Sequence, residues 1–169
     1  MQTFYPLNTT DFRKIARVLD NKRLNKQALE GWQIMMTLLE LDPAGNHRPA
    51  KGWKNHPAVK MWEGHEYGLN LYVQAMVTEW KRRGFKSTIG EKAEATILTA
   101  MRLGLIGLQQ DWYPDFISKP RLRASVAASH RVALLNKDYE WYSQFNWLED
   151  TGARPETYDY VWPRKLVSA

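Results

Sequence analysis

The chain has 169 residues, 44% of them apolar, enough for one domain with a substantial core. It contains no cysteine, which excludes disulfides, thiolate metal sites and thiol nucleophiles together. Lysine and arginine outnumber aspartate and glutamate by 24 to 18, and the resulting +6 favours a polyanionic partner, of which nucleic acid is the commonest.

No apolar run approaches the roughly 20 residues of a membrane span, and M-Q-T-F-Y-P lacks the basic-then-hydrophobic order of a secretory signal. A cytoplasmic protein with no membrane partner is therefore expected. Eight Trp and eight Tyr are many for one small domain. Such rings build cores, and they also stack on exposed bases.

Residues 1–8 read as an extended arm, because Pro6 opposes a helical conformation at Tyr5. Thr9 or Thr10 can cap a first short helix through about Leu19, with Phe12, Ile15, Ala16 and Leu19 on one face. A second helix is expected from about Asp20 to Leu41, capped by Asp20 or Asn21 and possible as a continuation of the first. Lys22, Arg23 and Lys26 occupy its first turns, and Glu30 follows Lys26 by four residues. Leu24, Leu29, Trp32, Met36 and Leu39 can face inward. On this stretch alone an exposed Lys26–Glu30 pair is the plainer reading, and a DNA-facing surface the sharper one.

Asp42-Pro43-Ala44-Gly45 ends that helix and opens a basic loop over 42–57, containing Arg48, Lys51, Lys54 and His56. Such a loop can follow a phosphate backbone or serve as an ordinary connection. Pro57 suits a helix start, and a long helix is expected from Ala58 to about Arg83. Its inward stripe includes Trp62, Tyr67, Leu69, Leu71, Tyr72, Met76 and Trp80. Arg82 and Arg83 close it, where they can offset the helix dipole or face DNA, and Gly84 follows as a stop. A further helix is expected from Glu91 to Gln109, with Ile97, Leu98, Met101, Leu105 and Ile106 inward. W-Y-P-D-F and K-P-R-L-R then make an aromatic and basic loop carrying Arg121 and Arg123. Another helix follows from Leu122 to Leu135, and Asp138 can cap a short one through Phe145. The rest is too broken and charged for a helix, and Tyr158, Tyr160, Val161 and Trp162 can lay it across the body as a strap.

No stretch alternates strictly, so no sheet is expected. The whole chain, 1–169, reads as a single compact all-α domain with an extended N-terminal arm and a C-terminal strap.

The motifs for phosphate-binding loops, dinucleotide turns and serine nucleophile elbows are missing. The four His (47, 56, 65 and 130) form no ligand pair at helical spacing, so neither metal nor cofactor is expected. What remains is carboxylate chemistry in a basic setting, with Glu30 preferred over Asp20, Glu63 and Glu66. An acid among cations is held ionised, and can stabilise a positive sugar-like transition state or shuttle protons in imine chemistry. Its nucleophilic partner can be water, a Lys, or the chain's α-amine, whose ordinary pKa of about 8 leaves part of it neutral.

Three blocks resemble the pyrimidine-dimer DNA glycosylase (endonuclease V) family of phages and its uncharacterised phage and actinobacterial relatives. They are L-D-N-K-R-L-N-K-Q-A-L-E, then N-H-P-A-V-K-M-W-E-G-H-E-Y through W-K-R-R-G-F, then R-L-R-A-S-V-A-A-S-H-R-V-A-L-L through E-W-Y-S-Q-F. The resemblance implies a monomeric all-α body that binds and kinks double-stranded DNA. It implies attack of the N-terminal amine on the sugar C1′, an imine, and β-elimination assisted by a glutamate at the position of Glu30. Gln2 is too large a neighbour for removal of the initiator, so the amine is expected to be that of Met1. Arg23 falls where the family has a His, and Leu29 where it has an Arg. The tail from 146 to 169 is extra. Two other readings stay open: a DNA-binding or base-modification module on the same scaffold without this chemistry, and a basic helical protein-interaction subunit.

Overall fold

A computed structural model of the chain describes residues 2–107 and 110–163. These contain eight α-helices and no β-strand, only an isolated bridge between Leu41 and His47. No helix among the described residues is long and apolar enough to cross a membrane.

The first helix, α1, is Phe12–Val18, and Asp11 rather than a threonine caps it by accepting the Arg13 N–H at 2.9 Å. Thr9 sits two residues before the cap, its hydroxyl accepting the Asp11 N–H. α2 is Asn21–Leu39. Leu19 and Asp20 are both extended, so the two helices are separate, and the Asp20 carboxylate caps α2 through the Arg23 N–H at 3.0 Å. Glu40 ends α2 in a left-handed conformation.

The long helix expected from Ala58 is broken. α3 is Pro57–Lys60, and α4 is Glu66–Arg82, with Gly64 at φ +80° between them. That left-handed turn suits glycine and cannot be continued as an α-helix. α5, Ile89–Arg102, stops before Gly104 at φ +69°, short of the expected end. Gln109 lies outside the described residues. α6, Asp115–Ser118, occupies the segment read as aromatic loop. α7 is Pro120–Lys137, longer at both ends than its apolar pattern indicated, with the proline in the first turn where its missing N–H costs nothing. Asp138 caps α8, Tyr139–Tyr142, as expected.

α2 and α4 pack face to face at the centre of the molecule. Gly31 permits this approach: a Cβ there would stand 2.6 Å from Val73 Cγ2. Trp62, Tyr5, Tyr72, Tyr142 and Phe116 are the largest fully buried side chains. The aromatic richness is thus mostly core. Four residues expected to point inward do not: Leu29, Leu71, Leu98 and Leu105 are exposed. Leu29, Leu71 and Leu98 lie on exposed parts of their helices, and Leu105 lies beyond the end of α5, which stops at Arg102.

The tail crosses the body as a strap. The Asn136 side-chain amide donates to the Pro155 carbonyl at 2.7 Å, and the Val161 N–H donates to Ser129 Oγ at 3.1 Å. Tyr158, Tyr160 and Trp162 pack against the core cluster, while Val161 faces solvent.

Candidate active site

The N-terminal arm is an enclosed irregular segment. Gln2, Thr3, Phe4 and Tyr5 are all buried, although they form no regular structure. Buried backbone groups need partners, and here side chains supply them. The Gln2 N–H donates to Glu30 Oε2 at 3.1 Å, and the Phe4 N–H to Gln27 Oε1 at 2.7 Å. The Tyr5 N–H donates to His130 Nδ1 at 2.7 Å. Tyr72 places its hydroxyl 2.8 Å from both the Phe4 carbonyl and Gln27 Oε1, sharing one proton between them. Burial raises the Tyr72 pKa well above its ordinary value, so this proton stays in place. The Trp62 indole N–H donates to Thr3 Oγ1 at 2.9 Å.

His130, fully buried on α7, has its pKa pushed down to about 3 by desolvation, so the ring is neutral. Because Nδ1 accepts from Tyr5, the proton sits on Nε2. The Gln2 side-chain amide lies 3.0 Å from that nitrogen, so its oxygen is the end that belongs there. The same orientation gives a partner to Gln2 Oε1, the buried side-chain atom otherwise without one among the described residues.

Glu30 is buried on α2 beneath the start of the arm. Lys26 Nζ stands 3.7 Å from its Oε1, and Lys22, four residues earlier, continues the same helical strip at the surface. His56 caps α3 with Nδ1 accepting the Ala58 N–H at 3.1 Å. Its pKa is lowered by burial, against the pull of the Glu30 carboxylate. Trp53 and Trp162 pack against it, with ring centroids 5.2 and 6.1 Å away.

Beyond Glu30, Gln33 and Thr37 on α2 face Arg48, Lys51 and Trp53 across a hollow of about 580 Å³. Arg48 and Lys51 are exposed, whereas Lys54 pairs with Glu40 at 2.9 Å. The structure thus gathers Lys22, Lys26, Arg48, Lys51 and His56 along the α2 side of the molecule. It engages other cations inside the fold. Arg23 joins Asp20 at 3.2 Å, Asp138 at 3.3 Å and the Lys137 carbonyl at 3.1 Å. Arg83 holds Glu79 at 2.8 Å and donates to the carbonyls of Ala16, Arg17 and Leu19, capping the end of α1. Arg82, itself exposed, also holds Glu79, whose pKa is lowered to about 2 by these guanidiniums, Arg82 first. Arg123 binds Asn8 and the Ile117 carbonyl, while Arg121 is exposed. Met1 lies outside the described residues.

Sequence reasoning weighed His130 only as a metal ligand, read Tyr72 only as core, and passed over Gln27. Their one visible signal was polar residues inside otherwise apolar helical stripes. No group of three or more His, Asp or Glu that could hold a metal occurs among the described residues.

Fold and site together define an all-α domain that seats its own N-terminal arm on one buried carboxylate, beside an exposed basic strip. Residues 1–91 match the family model of pyrimidine dimer DNA glycosylase, and the chain belongs to that family. No curated protein and no solved structure matches it.

Proposed function

We propose that the chain is a DNA N-glycosylase acting on damaged or modified pyrimidines, with a lyase step through an imine on its N-terminal amine. The observation that carries this reading is the hydrogen bond from the Gln2 N–H to Glu30. Covalent geometry tethers the amine of the preceding residue within about 4 Å of the Gln2 nitrogen, whatever its torsions. This supports a reading in which nucleophile and carboxylate act on one sugar.

In its neutral form the amine attacks C1′, and the electrons of the C1′–N bond leave with the base. The departing base takes a proton from water, and Glu30 accepts one from the substituted amine. Glu30 returns that proton to O4′ as the C1′–O4′ bond opens, which leaves a protonated imine that acidifies the C2′ protons and a carboxylate free to act again. Removal of one of these by Glu30 expels the 3′ phosphate, and water hydrolyses the imine to restore the amine. The exposed cations Lys22, Lys26, Arg48 and Lys51 supply phosphate contacts on the same side of the molecule.

Borohydride trapping on duplexes containing an abasic site or a pyrimidine dimer tests this. A covalent adduct at the N-terminus, lost on blocking the amine and impaired in Glu30→Gln, is expected. The absence of both adduct and base release rejects it. A non-catalytic DNA-binding module is the second reading, favoured by the exposed apolar Leu29 next to the acid, where the family has an Arg. It expects DNA affinity to persist and Glu30→Gln to be silent.

A further inference from the structure

We infer that His130, backed by the C-terminal strap, is a positioning residue that holds the N-terminal arm in register on Glu30. This inference rests on the reading of the N-terminal amine as nucleophile. It goes beyond that reading by assigning a role to α7 and to the strap, both outside the residues matched to the family.

His130 reaches the arm at two places separated by the buried Thr3 and Phe4. Its Nδ1 takes the Tyr5 N–H, and its Nε2 faces the Gln2 amide. Gln2 is the residue whose own N–H lies on Glu30. The arm therefore has a fixed point at Tyr5, another at Phe4 through Gln27, and a third at Gln2, with the imidazole bridging the first and the last. An apolar side chain would fill the same buried position at lower desolvation cost. A neutral imidazole has a use there because both of its nitrogens meet the arm.

Two aromatic rings pack against the imidazole and against each other. Phe4 packs edge-on at 5.8 Å and Tyr160 at 5.4 Å, and Tyr160 also touches Phe4. Tyr160 is held next to it because the Val161 N–H binds Ser129, the neighbour of His130 on α7. On the other side of His130, Arg131 donates to the Pro6 carbonyl at 3.0 Å and pairs with Glu149 of the tail. Arm, α7 and tail thus close on one another around His130. Displacement of the strap loosens the imidazole, and a loose imidazole lets the first residues slide along α2.

The test is single-turnover borohydride trapping on an abasic duplex at saturating DNA, alongside DNA affinity and thermal melting of the full chain. His130→Asn keeps an acceptor near Nδ1 for Tyr5 and loses the reach to Gln2. It is expected to slow trapping about tenfold or more at unchanged DNA affinity, the signature of a misplaced reacting group. His130→Gln, which reaches Gln2 again, is expected to recover part of that rate even if it melts no higher. Gln2→Met removes the same contact from the arm side, keeps a bulky second residue, and should reproduce the loss without touching α7. Tyr160→Ala should move the rate in the same direction. Lowered melting temperatures with wild-type trapping per folded molecule in His130→Asn and Gln2→Met overturn the inference and leave the proposed function standing. No adduct from the wild-type chain overturns both.

Discussion

Gln2 and Glu30, 28 positions apart, are joined by a buried hydrogen bond of 3.1 Å from the backbone of one to the side chain of the other. Replacing Glu30 with Gln keeps the acceptor oxygen and the packing while removing the charge. The arm should stay seated, because Gln27 and His130 hold it independently, and melting should change little. Trapping and strand cleavage should fall by about 10²–10⁴, the range for loss of a general acid–base group. Parallel melting curves and adduct yields check this. A large loss of stability with proportionate loss of activity would assign Glu30 to the fold alone.

The neutral His130 makes stability depend on pH in a defined window. Its folded pKa of about 3 lies below the ordinary 6.5, so between these values the unfolded chain binds the extra proton. Stability is therefore full above about pH 6.5 and declines as pH falls, with a slope approaching about 1.4 kcal/mol per pH unit from this one group. Glu79 and the other carboxylates with lowered pKa lose their contribution in the same direction, but only below their ordinary range near 4.5. His56, also lowered, adds a smaller part of the same sign. Urea unfolding at pH 7, 6 and 5 isolates the histidine window, and His130→Asn should flatten most of it.

Arg83 makes a stability prediction of a different kind. Its guanidinium binds the buried Glu79 and donates to the exposed-end carbonyls of α1 and to Asn21 Oδ1 at the start of α2. Arg83→Ala leaves Glu79 with Arg82, so the buried charge keeps one partner, yet the α1 carbonyls lose theirs. A cost of about 2 kcal/mol is expected, above the range of ordinary surface substitutions. Chemical denaturation measures it. A change within surface scatter shows that water replaces the guanidinium at the α1 terminus.

Much of the fold was legible from caps and periodicity. Asp20 and Asp138 cap where their side chains can reach the next turn's free N–H groups, and Pro57 opens a helix, whereas Pro120 was read as loop and opens α7. The break at Gly64 was missed because its apolar stripe continues across it, and a single glycine leaves periodicity intact. Glu30 was singled out by a family resemblance, since the residues alone favoured an exposed pair with Lys26. The arm's partners were illegible for another reason. Gln27, Tyr72 and His130 come from three helices, and nothing local in sequence says that their polar atoms converge on a buried irregular strand of chain.

The cations separate into two groups that a salt titration can distinguish. Lys22, Lys26, Arg48 and Lys51 are exposed on the α2 side, whereas Arg23, Arg83 and Arg123 are bonded within the fold. If the first group contacts phosphates, replacing Lys51 or Lys22 with Ala weakens duplex binding without altering melting. Each should also reduce the slope of log K against log salt by about one unit, because one fewer counterion is released. Lys26→Ala should do the same and additionally remove the 3.7 Å neighbour of Glu30, lowering trapping at saturating DNA. Arg23→Ala should show the opposite pattern: it strips Asp20 and Asp138 of their shared guanidinium, lowers the melting temperature, and leaves the salt slope of the folded fraction as it was. Slopes unchanged in all three lysine variants would move the DNA interface to another face, with Arg121 the next cation to replace.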